Sequence, residues 1–220
     1  MGMIINHDHT AYRSTWEVQG NNKWNGAFYY SKEICKYIIP RVRTDRNWVT
    51  INTKGVGCDY AIVFVHNNLH PENYQWLSKY KDLVLVCGVK STMKKVQHLG
   101  EVVYLPLSVD VEYVEKFKRE KTKDCAFAGR PSKKQGAILP AGCDVLAGMP
   151  RTRLLPQMAK YRTIYAVGRT AIEAKILGCK IAPYDRRFPS PNIWKILDCR
   201  DAAKILQKEL DRIDGTDYGA

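Results

Sequence analysis

The chain has 220 residues, 45% of them hydrophobic, with 35 Lys+Arg against 22 Asp+Glu and a formal net charge of +13. That length can bury one large core or two small ones, and an ordinary apolar fraction with 15 Gly and 10 Pro excludes disordered and collagen-like chains. No apolar run approaches the roughly 18 residues of a spanning helix, and residues 1–10 lack the basic-then-apolar order of a signal peptide. The expectation is a cytoplasmic protein without membrane insertion.

Taken in order, residues 3–5 read as a short strand, followed by a polar, aromatic loop over residues 6–26. Residues 27–39 have helical periodicity that stops at Pro40. Residues 48–52 and 60–65 read as strands, the second apolar on both faces as in a central parallel strand. Residues 71–80 open with Pro at a first helical position. A strand over 83–87, a helix over 91–99 and a strand over 102–105 complete the first half. Residues 105–110, Leu-Pro-Leu-Ser-Val-Asp, read as a linker, which puts the domain boundary between Ser108 and Val109. The second half repeats the alternation. Strands are expected over 124–128, 144–147, 163–167 and 180–184, with helices over 154–161, 170–177, 192–197 and 201–213, and Gly178 closes the second of these helices. Two small tandem Rossmann-like α/β domains, 1–108 and 109–220, follow from this order.

The charge is uneven: residues 1–110 carry net +4 and residues 111–220 net +9. Lys116 to Lys123 reads as a solvated face, with Glu112, Glu115 and Glu120 interleaved. Arg130, Lys133 and Lys134 follow directly on the strand end Phe127-Ala128-Gly129 and are better placed to meet a phosphate. The seven cysteines (Cys35, Cys58, Cys87, Cys125, Cys143, Cys179 and Cys199) are widely spaced, odd in number and free of CxxC or zinc spacing. They read as reduced core thiols, and no structural metal is expected.

Two turns carry the strongest chemical signal. In Tyr165-Ala-Val-Gly168-Arg169-Thr170-Ala171-Ile172-Glu173, a buried strand turns through glycine into a helix N-terminus, which presents N–H groups and a positive dipole end to a diphosphate. Glu173, one turn inside, either accepts ribose hydroxyls or only complements the helix dipole. At Gly129-Arg130, glycine lets a ligand approach the backbone and the cations neutralise it. In a doubly wound sheet both turns fall at the carboxyl edge, where ligands bind. Neither GxGxxG nor GxxxxGK[ST] is present.

The succession of "LPLSVD", "FAGR", the 154–161 helix and "GRTAIEAKILGCKIAPYD" resembles the GT-B glycosyltransferases. The resemblance implies a C-terminal half that binds a nucleotide-diphosphate sugar such as a UDP-sugar, with no cofactor and no metal. On the donor side it implies Gly129, Arg130, Lys134, Gly168, Arg169, Thr170, Ala171 and Glu173. Arg130 and Lys134 would hold the diphosphate, Thr170 and Ala171 would offer N–H groups, and Glu173 would hold the donor. Position 165 is Tyr where many members carry a second glutamate.

On the acceptor side the resemblance points to Asp8, after the first strand, and to His66, at the end of the 60–65 strand, as groups that take a proton from the acceptor hydroxyl. Structural roles for both fit the sequence as well. The aromatics of the 6–26 loop suit either stacking on a sugar or base, or a small core of their own. The net charge extends the reading to a DNA acceptor, such as the modified bases of a phage genome. A protein of another class, a non-catalytic nucleotide- or nucleic-acid-binding protein on the same fold, also fits.

Overall fold

The computed structural model describes residues 32–50, 60–65, 77–130, 134 and 136–215. These fall into two units. Asp8, His66, the expected strand at residues 3–5 and the aromatic loop lie outside the described residues.

The first unit takes residues 34–106 and the chain from Arg200 onward. Its sheet is parallel throughout, in the order β1 (Asn47–Thr50), β2 (Tyr60–Val65), β3 (Asp82–Cys87), β4 (Glu101–Tyr104). β2 and β3 stay in register from Tyr60 opposite Asp82 to Val65 opposite Cys87. Their apolar stretches, 61–65 and 83–87, are buried on both faces, so these strands carry no alternation in sequence. Leu77, Tyr80 and Val96, the last from α1 (Lys90–Val96), pack into the same core.

Gly100 precedes β4 so closely against β3 that a Cβ there would stand 2.4 Å from the Leu83 carbonyl oxygen. The N-terminal segment forms one π-helical turn, Ile34–Ile38, that tightens into a 3-10 turn, Ile39–Arg41, around Pro40. Lys36, Arg41 and Arg200 all sit over the ring of Tyr37, at 4.7, 5.9 and 4.8 Å. Arg46 pairs with Asp82 at 2.7 Å and with Asp214 at the end of the last helix. Burial works against the charged guanidinium, yet the two carboxylates outweigh it and hold the Arg46 pKa above its ordinary value.

The second unit takes Leu107–Cys199 together with Glu33. Its entry and exit run side by side: Val109 N–H donates to Leu197 O at 3.1 Å, and Cys199 N–H to Val109 O at 3.2 Å. That pairing commits the backbone after Pro191–Ile193, so only a 3-10 turn forms where the sequence suggests a helix over 192–197. Asp110 caps α2 (Val111–Glu115), its Oδ1 accepting from Tyr113 N–H at 3.1 Å.

The sheet is again parallel, in the order β6 (Asp144–Val145), β5 (Lys123–Phe127), β7 (Tyr161–Tyr165), β8 (Lys180–Ala182). From β5 the chain passes to β6 on one side. It then returns through α3 (Arg151–Met158) to β7 on the other side, and α4 (Arg169–Ile176) leads on to β8. The α/β class is as expected, and the strand order reverses between β5 and β7, which makes that pair the topological switch point. A final helix, α5 (Cys199–Asp214), begins in this unit, and from Arg200 it belongs to the first. Among the described residues no helix is long and apolar enough to cross a membrane.

Lys121, read from sequence as part of a solvated face, instead plugs two helix ends. Its Nζ donates to Ala159 O after α3 at 2.8 Å, and to Leu177 O after α4 at 2.6 Å. Carbonyls at a helix C-terminus lack intrahelical donors, and one ammonium satisfies two of them. Lys121→Met, which keeps the stem and removes the donor, is expected to cost about 1–3 kcal/mol in chemical denaturation. A loss below about 0.5 kcal/mol would mean that water replaces the ammonium at both ends.

Candidate functional site

The carboxyl edge of the second sheet gathers most of the donor-side residues. β5 runs through buried Ala128 to Gly129 and exposed Arg130, and Lys134 lies exposed four residues on. Gly129 is required by close packing. A Cβ there would come within 2.9 Å of Phe127 Cζ and 3.4 Å of the Tyr184 hydroxyl oxygen. The Tyr184 ring meets Phe127 edge-on at 4.8 Å between centroids, so the chain after β8 closes over the end of β5. Burial, and then the Asp185 charge, raise the Tyr184 phenol above its ordinary pKa, while Arg130 and Arg187 pull in the opposite direction. Asp185 holds Arg187 through both carboxylate oxygens, with Arg187 Nε 3.0 Å from Oδ1 and 3.2 Å from Oδ2.

After β7, Gly168 takes φ +66° and ψ −141°, a backbone conformation open to glycine, and N-caps α4. Ala171 N–H donates to Gly168 O at 3.1 Å and Ile172 N–H to the same oxygen at 3.2 Å. Of the two N–H groups expected to face a ligand, that of Ala171 is therefore committed to the turn. The N–H groups of Arg169 and Thr170 precede the first intrahelical bond.

Arg169 and Glu173 lie inside the unit, 7% and 4% exposed, in a closed ring of alternating charge. Glu33 Oε1 meets Arg151 Nη1 at 2.6 Å, and Glu33 Oε2 meets Arg169 Nη2 at 2.6 Å. Glu173 Oε1 meets Arg151 Nε at 2.8 Å and Arg169 Nε at 3.2 Å. Glu33 Oε2 also accepts from Asp110 N–H at 3.1 Å. Burial alone would lower the Arg151 pKa; Glu173 and Glu33 reverse that and hold it above its ordinary value. The Cys199 thiol, 3.5 Å from Glu33 Oε2, is pushed up to about 12 by burial first and by that carboxylate second. Two carboxylates balance two guanidinium groups, so the ring is neutral as a whole. Glu173 thus stands beneath the α4 N-terminus as the counter-ion of two arginines.

Two open clefts lie beside the outer strands of this sheet. One, of about 460 Å³, is lined by Gly148, Met149, Pro150, Thr152, Arg153 and neighbours, where the chain leaves β6 for α3. The other, of about 220 Å³, is lined by Ile138, Pro183, Tyr184, Asp185, Arg186 and Pro189 beyond β8. The first falls in the size range of small-molecule sites. Among the described residues no three His, Cys, Asp or Glu side chains gather into a cation site.

The sequence reading missed Glu33, Arg151, Tyr184 and Asp185. Only the Arg169–Glu173 pair had a local signal, its i,i+4 spacing on a helix. Glu33 reaches Arg151 across 118 positions, a separation that no local pattern encodes.

The fold defines an α/β protein with two parallel sheets, the second of which reverses its strand order between β5 and β7. Comparison of the chain with protein-family models and with curated proteins gives no match in either.

Proposed function

We propose that the chain binds a nucleotide-diphosphate sugar at the carboxyl edge of its second sheet and transfers the sugar to an acceptor hydroxyl, as a compact GT-B-like glycosyltransferase. One observation carries this reading. Gly129-Arg130 and Gly168 close the two strands that flank the switch point. A diphosphate lying there takes charge from Arg130 and Lys134 and N–H donors from the first turn of α4. In the reaction the acceptor oxygen bonds to the anomeric carbon as the bond to the diphosphate breaks. The acceptor proton leaves to a base, for which Asp8 and His66 are the candidates. Charge that develops on the leaving diphosphate meets donors already in place, which is where such sites gain most of their rate.

A second reading, a nucleotide-binding protein without turnover, is favoured by the engagement of Glu173 in the buried ring, since no donor-side carboxylate is then left open at this turn. A thermal-shift panel of UDP, GDP, ADP, CMP and their sugars, followed by an assay for release of nucleotide from the best donor, separates the two. Stabilisation by one nucleotide family that Arg130→Ala reduces, together with nucleotide release, supports the transferase. Stabilisation without release supports the binding protein. No shift from any nucleotide overturns both. Duplex DNA belongs in the acceptor panel because of the +13 charge, and its binding should weaken steeply with salt.

A further inference from the structure

Among the described residues three cysteines are not core residues: Cys35, in the first unit, and Cys125 and Cys143, in the second. Cys87, Cys179 and Cys199 are buried, but Cys125 and Cys143 are half-exposed and both are free thiols. β5 and β6 are parallel neighbours with Ala126 opposite Asp144 and Phe127 opposite Val145, so one step back sets Cys125 opposite Cys143. Adjacent strands lie about 4.8 Å apart, within the ~4.4–6.8 Å Cα separation that a disulfide spans. Side chains directly opposite on parallel strands point to the same face. Burial first, and then the neighbouring Cys125 sulfur, push the Cys143 thiol up to about 12. Tyr165 on β7 borders the pair, its phenol raised first by burial and then by the two sulfurs.

We propose that Cys125 and Cys143 form an oxidative modification site that closes reversibly into a disulfide by exchange with a low-molecular-weight disulfide. The thiolate of Cys125 attacks one sulfur of the small disulfide, breaks its S–S bond and expels one small thiolate. Cys143 then gives its proton to solvent and attacks the Cys125 sulfur, and the second small thiolate leaves. Two protein thiols are oxidised, one small disulfide is reduced to two thiols, and the balance closes. Cys143 resolves the mixed disulfide because the register sets its sulfur beside that of Cys125.

The position gives the bond a consequence. The segment it would close, residues 126–142, carries Gly129, Arg130, Lys134 and the Ile138 wall of the cleft beyond β8. The bond would therefore sit at the base of Gly129 and Arg130, which in the function proposed above meet the diphosphate.

The test uses the whole native chain incubated with oxidised glutathione, acid-quenched, alkylated and mapped by peptide mass spectrometry. The expected product is a Cys125–Cys143 cross-linked peptide two hydrogens lighter than the reduced pair, restored by dithiothreitol. Cys143→Ser is expected to stop at one glutathione on Cys125. Glutathione on both cysteines without a cross-link, no modification at either, or a cross-link that forms only in denaturant overturns the proposal. These outcomes do not depend on nucleotide binding, so failure of the functional reading leaves them intact.

Discussion

Glu33→Ala is expected to lower stability by about 3–5 kcal/mol, a large share of the 5–15 kcal/mol that holds a typical protein folded. Glu33 gives Oε1 to Arg151 and Oε2 to Arg169, and it is 5% exposed. Without it, one carboxylate faces two buried guanidinium groups, and the desolvation cost of the second cation is no longer offset. For a chain of this size the loss corresponds to a fall in Tm of roughly 6–20 °C. Glu33→Gln preserves shape and accepts one hydrogen bond, so it falls between wild type and Ala. Pairing Glu33→Ala with Arg169→Met restores neutrality and is expected to recover part of the loss, a coupling that a double-mutant cycle reads directly. If Glu33→Ala unfolds within 1 kcal/mol of wild type, the ring is not the buried assembly described here.

Gly168→Ala is expected to cost about 1–3 kcal/mol, or roughly 2–12 °C in Tm, and to weaken nucleotide binding as well. No atom stands within 4 Å of the Cβ that alanine would add, so the penalty is purely one of backbone conformation. At φ +66° and ψ −141° an L-residue is strained, and relief requires the turn to rotate. Rotation moves the N–H groups of Arg169 and Thr170, the same donors the diphosphate is proposed to use. Denaturation and a titration with the best nucleotide check the two effects separately. An alanine variant equal to wild type in both would show that this backbone conformation is neither needed nor used.

The first sheet was legible because its two central strands are buried: 61–65 and 83–87 are apolar throughout, and turn signals bracket each run. The helices were legible only where apolar spacing marks the inward face. α3 begins at Arg151, three residues before the expected start, because the first inward side chain is an arginine whose charge Glu33 and Glu173 neutralise. β7 begins at Tyr161, two residues before the expected start. Tyr161 pairs with Lys123 across the strands, and its hydroxyl donates to Asp144 Oδ2 at 2.7 Å.

At the site, the glycine turns and Arg130 could be read from sequence because glycine at a strand end has few other uses. Burial of Glu173 could not, since its partner Arg151 and the Glu33 that completes the ring come from distant parts of the chain. The place of Tyr184 was equally hidden: it depends on β8 ending beside β7 and on the absence of a side chain at Gly129. For the same reason Cys125 and Cys143 looked like isolated core thiols until the β5–β6 register set them opposite each other.

Hydrogen–deuterium exchange of the native chain, with and without the nucleotide that stabilises it most, tests the central claim most directly. A ligand at the carboxyl edge of the second sheet slows exchange in peptides covering residues 128–136 and 166–171, and Arg130→Ala reduces that protection. An arginine hydrogen-bonded to a phosphate contributes about 1.5–3 kcal/mol, so tenfold or more of the affinity should go with it. Protection confined to the first unit, or equal protection with and without Arg130, would contradict the account.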